Sequence, residues 1–350
     1  MLKKTDDKRQ KNMRTFHVTA LFIVFIFTLT ACSEKGNEAE TAGVTFSERR
    51  ASRRVYWPLE YYPHYETLFF ESGKGYEIKN ENSNKLLITL GGMGWRSAIG
   101  RPGERTGSRS MDIVLPLHEE YNFFVPEKFD REVGRYYLYD ANAREQYTID
   151  NLLAVYAGVI NGYLSRNDYE TIIIAGFSEG ALLLPELYFL LNEPDKITAL
   201  IPYAGGGLSL FEYYEVIWKK LLAEEPPFKE PYIDNIASRI GGLEQVFNIY
   251  MEEPYPDSSE RDGDATYRWL TSFLFRRPFD FYVDIEIPVL FIHGEMDINV
   301  PVESTRYVEK NLPDKPFDYI YYPEMEHLPL LEELMILRED IKGWLREKGL

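Results

Sequence analysis

Cysteine is almost missing from this 350-residue chain: there is one, Cys32, so no disulfide can form within it. Positive charge is scarce. Lys and Arg number 39 against 56 Asp and Glu, a formal net charge of −17. That balance argues against a nucleic-acid partner, which takes a basic face, and against adhesion to anionic lipid by charge alone. Histidines number five and form no cluster with cysteine, and no glycine-rich phosphate loop follows a strand in the required form. No metal or cofactor is therefore implied. No internal repeat is present, and no apolar run reaches the ~20 residues of a spanning helix. Hydrophobic residues at 45% and charged residues at 27% are an ordinary globular balance. The length suits one large α/β domain with an insertion, or two domains.

The stretch that organises the rest is Thr171 to Leu184, TIIIAGFSEGALLL. A β-branched run, Ile172-Ile173-Ile174, has the composition of a parallel strand buried on both faces. Gly176-Phe177-Ser178-Glu179-Gly180 follows as a sharp turn, and a Leu-rich run opens a helix. Strand, G-x-S-x-G and helix in that order form a nucleophile elbow. The turn has to hold Ser178 in a strained conformation, and side chains at 176 and 180 would crowd it. The helix that begins there aims its free N–H groups at any developing oxyanion. The competing reading is a β–α turn in another doubly wound protein, with Ser178 as a helix N-cap.

Along the chain, Val55 to Pro58, Tyr65 to Phe70 and Gly75 to Ile78 read as a hairpin-like entry with a turn at 71–74. Lys85 to Leu90 is a buried strand ending in Gly91-Gly92-Met93-Gly94. Tyr121 to Pro126 is the next strand, and Thr148 to Leu164 an amphipathic helix. After the elbow, Pro185 falls within its helix and is expected to kink it. Lys196 to Ala204 reads as a strand. Residues 208–284 break the alternation; they are aromatic and acidic, with helical patches at Phe211–Leu222 and Tyr267–Phe275. Val289 to His293 restores a buried strand, Val302 to Asn311 a helix, Phe317 to Tyr322 the last strand, and Leu330 to Lys348 a closing helix. Strands alternating with helices predict a mostly parallel, doubly wound sheet, whose active groups lie beyond the strands' carboxyl ends.

The N-terminus carries Lys3, Lys4, Lys8, Arg9, Lys11 and Arg14 ahead of an apolar run, Val18 to Ala31. A basic segment before a short apolar one is a secretion signal. The run ends Leu29-Thr30-Ala31-Cys32, which resembles the lipobox of bacterial lipoproteins. The resemblance implies cleavage before Cys32, lipid on that cysteine, and a place in the bacterial cell envelope outside the cytoplasm. Two acyl chains on one residue anchor stably, where one binds only marginally. The expected organisation is residues 1–31 as signal peptide, 32–50 as a disordered tether, and 51–350 as the domain, with an insertion over about 208–284.

Two further polar residues follow strands. Asp297 lies in Gly294-Glu295-Met296-Asp297, and His327 in Pro323-Glu324-Met325-Glu326-His327. With Ser178 the chain order is Ser, Asp, His, each at a strand's carboxyl end. That order is the one of the α/β-hydrolase fold. The chain resembles the α/β-hydrolase superfamily over roughly residues 55–348, and PVLFIHGEMDINVP (288–301) is similar to the acid region of esterases and prolyl-oligopeptidase-like enzymes. The resemblance implies an α/β-hydrolase fold: a mostly parallel eight-stranded doubly wound sheet with a helical cap at 208–284.

The roles follow chemically. A serine hydroxyl needs a base to take its proton as it attacks. His327 suits that task because imidazole titrates near neutrality. Asp297 would fix the imidazole tautomer, with Glu295 as the rival acid. His293, inside a strand end, reads as structural. The oxyanion hole needs two backbone donors: the N–H of Glu179, and one from the turn after the 85–90 strand, Met93 first and then Gly92. The lipase-like form of that turn has His where this chain has Gly91. Arg96, Arg101, Arg105 and Arg109 either hold an anionic group or form a solvated loop. Trp218, Tyr250, Tyr255, Trp269, Phe273 and Phe275 either line a pocket or form the cap's own core.

The expected activity is a lipid-anchored serine hydrolase that cleaves a small-molecule carboxylic ester or amide. The alternatives are a peptidase acting on short peptides, acyl transfer to another alcohol, and a non-catalytic binding lipoprotein of the same fold.

Overall fold

A computed structural model of the chain describes residues 65–92, 114, 117–128, 146–222, 261–262, 265–297 and 299–350. The signal, the tether, Cys32, the 55–58 run, Met93, the four loop arginines and residues 223–260 lie outside the described residues, as do Tyr250 and Tyr255.

The first strands are β1 (Glu66–Phe70), β2 (Gly73–Ile78), β3 (Lys85–Leu90) and β4 (Asn122–Pro126). The turn between β1 and β2 is shorter than expected, because Gly73 and Lys74 already pair with Phe70 and Phe69. Helix α1 (Ile149–Leu164) starts where Thr148 caps it, its hydroxyl accepting from the Asn151 N–H at 3.2 Å. Next come β5 (Thr171–Phe177), α2 (Glu179–Leu190) and β6 (Ala199–Tyr203). Helix α2 runs through Pro185 as a single element. Strand β6 starts later than the sequence pattern suggested, since Pro194–Lys196 form a 3-10 turn with an Ile197 N–H to Pro194 carbonyl bond of 2.9 Å.

The insertion contributes α3 (Leu210–Leu222), a two-residue ribbon β7 (Arg261–Asp262) and β8 (Ala265–Thr266), α4 (Tyr267–Phe273) and a single turn α5 (Phe279–Tyr282). The chain closes with β9 (Val289–Gly294), α6 (Glu303–Asn311), β10 (Phe317–Tyr322) and α7 (Leu331–Glu347).

Eight strands form one sheet in the order β1-β2-β4-β3-β5-β6-β9-β10. The pairs β1–β2 and β2–β4 are antiparallel, and the pairs from β4 through β10 are parallel. Alternation along the strands divides the core in two. Leu86, Ile88, Ile172, Ile174, Leu200 and Phe291 face α1, α2 and the insertion helices. Leu87, Ile173, Ala175, Ile201 and Ile292 face the other way, against Leu334, Leu337, Ile341 and Trp344 of α7. A sheet covered on both faces explains why β5 is buried at every position.

Among the cap aromatics, Trp269, Phe273 and Phe275 have described side chains. Trp269 and Phe273 are buried in the main core beside α1, not in a core of the cap's own. Phe275 is exposed and rests on Phe211, with ring centroids 5.4 Å apart. The backbone of Trp218 is part of α3.

Candidate active site

The central strand β5 pairs with β3 and β6 and delivers Ser178 at its carboxyl end. Ser178 has φ 53° and ψ −115°, a strained conformation for a residue with a side chain. The turn is held on both sides. The Ser178 N–H donates to the Tyr203 carbonyl at 3.0 Å, and its own carbonyl accepts from the Leu182 N–H at 3.0 Å. The two flanking glycines are required by close approach. A Cβ on Gly176 would lie 2.5 Å from the Gly180 carbonyl oxygen, and one on Gly180 would lie 2.7 Å from that of Leu90.

Asp297 is buried and both its oxygens are engaged. Oδ1 accepts the N–H groups of Asn299 (2.8 Å) and Val300 (2.9 Å). Oδ2 lies 2.7 Å from His327 Nδ1. An ionised carboxylate only accepts, so Nδ1 carries the hydrogen of this bond. Burial alone would raise the Asp297 carboxyl. The imidazoles of His327, which is hydrogen-bonded to it, and of the nearby His293 outweigh that and hold it well below the usual carboxylate range.

Two loops carry this pair and are stitched together. The Met296 N–H donates to the Met325 carbonyl at 3.0 Å, and the Glu295 N–H to that of Tyr322 at 2.9 Å. Met325 also takes the Tyr203 hydroxyl on its sulfur, at 3.3 Å. The His327 ring then lies against Phe177, with centroids 5.1 Å apart, and Phe177 is the residue before Ser178. Ser178, His327 and Asp297 are thus brought to one end of the sheet.

The other candidates separate cleanly. Glu295 pairs with Arg306 at the surface, away from the imidazole. His293 is fully buried, its Nδ1 2.7 Å from Thr305 Oγ1 and its Nε2 2.9 Å from the Val300 carbonyl. It lies 3.6 Å from Asp297 Oδ2, so the structural histidine also backs the carboxylate. Gly92 lies against the elbow: a Cβ there would stand 3.2 Å from Ser178 Cβ. Met93 lies outside the described residues. Among the described residues, no group of three or more His, Cys, Asp and Glu is placed to hold a metal ion.

One feature of the site has no counterpart in the sequence reading. Glu179 entered it as a backbone donor, yet its carboxylate is buried and saturated. Oε1 accepts from Tyr147 Oη and from Trp269 Nε1, each at 2.7 Å. Oε2 pairs with Lys128 Nζ, and that ammonium also donates to the Gly92 carbonyl at 2.7 Å. The available signal was an acidic residue set between the elbow's serine and four apolar positions. Lys128 itself follows β4 without any pattern.

A mostly parallel eight-stranded sheet, helices on both faces, a strained serine after the central strand and an Asp–His pair after the last two strands together define a fold. The chain has the α/β-hydrolase fold. Solved structures agree. Est1E of Butyrivibrio proteoclasticus, solved with ferulic acid bound, is similar over 81% of this chain and 98% of its own, at 20% identity and a TM-score of 0.53. An esterase of Pyrococcus furiosus matches 90% of this chain and 97% of its own, at 16% identity and a TM-score of 0.50. In sequence, an 85-residue stretch is 34% identical to the uncharacterized peptidase YtmA of Bacillus subtilis; it is 23% of this chain and 30% of that relative's length. No family model matches the chain.

Proposed function

We propose that the chain is a serine hydrolase that cleaves a carboxylic ester or amide through an acyl-enzyme. The observation that carries this reading is the 2.7 Å His327–Asp297 bond beside a serine held at φ 53°. Ser178 Oγ attacks the carbonyl carbon while His327 Nε2 takes its proton. Asp297 stabilises the imidazolium that forms. The tetrahedral oxyanion is received by the N–H of Glu179 and a second N–H from the turn after β3. His327 then returns the proton to the leaving oxygen or nitrogen, and water repeats the sequence to release the acid.

Small esters are the first substrates to test. Short peptides are the second reading, favoured by the local likeness to a protein named a peptidase. Purified chain is assayed with 4-nitrophenyl acetate and with peptidyl 4-nitroanilides. Ester turnover that disappears in Ser178→Ala supports the first reading. Turnover of anilides alone reverses the order, and turnover of neither contradicts both.

The lipobox-like Leu29-Thr30-Ala31-Cys32 supports a lipid anchor on Cys32 and a place outside the cytoplasm. Metabolic labelling with a palmitate analogue tests it. Label on the wild type and not on Cys32→Ala is the expected result; equal labelling contradicts the anchor.

A further inference from the structure

We propose that Lys128 is a positioning residue for the oxyanion hole, bracing the elbow at Glu179 against the Gly92 carbonyl through one buried ammonium. The inference rests on the serine-hydrolase reading above. Lys128 follows β4, is 4% exposed, and bridges two residues 87 positions apart. One is Glu179, whose N–H is the expected first donor. The other is Gly92, in the turn after β3, whose carbonyl accepts from the ammonium.

An ammonium bonded to the Gly92 carbonyl fixes the turn after β3 beside the elbow. The same ammonium, with Tyr147 and Trp269, fixes the Glu179 side chain, and the Glu179 backbone starts α2 directly after Ser178. Gly92 in turn backs onto Ser178. Donor geometry in an oxyanion hole has to be set before charge develops, and Lys128 is placed to hold the Glu179 donor against the turn after β3.

Neighbouring groups fit this role. Glu127, beside Lys128, is buried, accepts from Tyr76 Oη at 3.0 Å and takes the Lys128 N–H at 3.1 Å. Tyr156 is wholly buried, and burial, then the Glu179 and Glu127 charges, push its phenol well above the ordinary range. Tyr156 thus stays neutral, and among the described residues the ammonium is the cation bonded to Glu179. As a source of stability such a pair has little to offer, since a buried ion pair does no better than apolar residues of the same volume. As a fixed strut between two loops it has a use that an apolar pair lacks.

The test compares 4-nitrophenyl acetate with the corresponding thionoester, in which sulfur replaces the carbonyl oxygen. Sulfur is a poor hydrogen-bond acceptor, so the thionoester gains little from the oxyanion hole. The full chain carries Lys128→Met together with Glu179→Gln, which removes both charges and leaves neither buried alone. Oxygen-ester kcat/KM is expected to fall on the order of 10²-fold while the thionoester rate holds nearly constant, so that their ratio collapses. That ratio does not depend on the fraction of folded enzyme. The milder Lys128→Gln is read by the same ratio and is expected to shift it in the same direction by less. An unchanged ratio in both variants, whether the two rates hold or fall together, overturns the proposal. A wild type that hydrolyses neither substrate and takes up no fluorophosphonate overturns the serine-hydrolase reading instead.

Discussion

At the residue scale, the site depends on two kinds of constraint: a backbone held away from its preferred region at Ser178, and a charge held away from water at Asp297. The second has a pH signature. The carboxyl is depressed when folded, so it contributes stability above its unfolded value of about 4, and that contribution is lost as pH falls through the folded value. Asp297→Asn removes the linkage. Urea unfolding should show a stability gap between wild type and variant at pH 7 that narrows below about pH 4. A constant gap would mean that Asp297 is not depressed. The same variant should reduce kcat by about 10⁴, because the asparagine amide no longer selects the tautomer with hydrogen on Nδ1. That loss is measured as ester turnover at neutral pH.

At the scale of elements, the elbow is a packing problem as much as a catalytic one. Gly180 lies under the end of β3, and a methyl group there would press on the Leu90 and Gly91 carbonyls. Gly180→Ala should cost about 1–3 kcal/mol in thermal or chemical unfolding, the range for overpacking. It should also slow turnover, because the turn it displaces carries a proposed oxyanion donor. Full stability with full activity would contradict the tight approach.

Much of this element was legible in the sequence. A β-branched run, two glycines at fixed spacing and a leucine-rich run each carry their own physical reason. The order Ser178, Asp297, His327 was legible because polar residues directly after buried strands stand out. Lys128 was not, since nothing in Phe-Val-Pro-Glu-Lys distinguishes a strut from a solvated lysine. Nor was the Glu179 carboxylate, because its partners lie 32, 51 and 90 residues away. Such contacts are set by the sheet order and leave no local trace.

For the whole molecule, the insertion is tied to the sheet more closely than its composition suggested. Trp269 in α4 is buried beside α1, stacks on Tyr147 with centroids 5.9 Å apart and donates to Glu179. Trp269→Ala should therefore act on the main domain, at about 3–5 kcal/mol of unfolding free energy. An insertion that packed only on itself would lose far less, and denaturant unfolding distinguishes the two. The fold alone does not choose a substrate. What the account requires first is an activated serine. The most direct measurement is labelling of the purified chain with a fluorophosphonate probe, wild type beside Ser178→Ala and His327→Ala. Label is expected on Ser178 of the wild type and on neither variant. Folded wild type that stays unlabelled, or label that persists in Ser178→Ala, would contradict an activated Ser178.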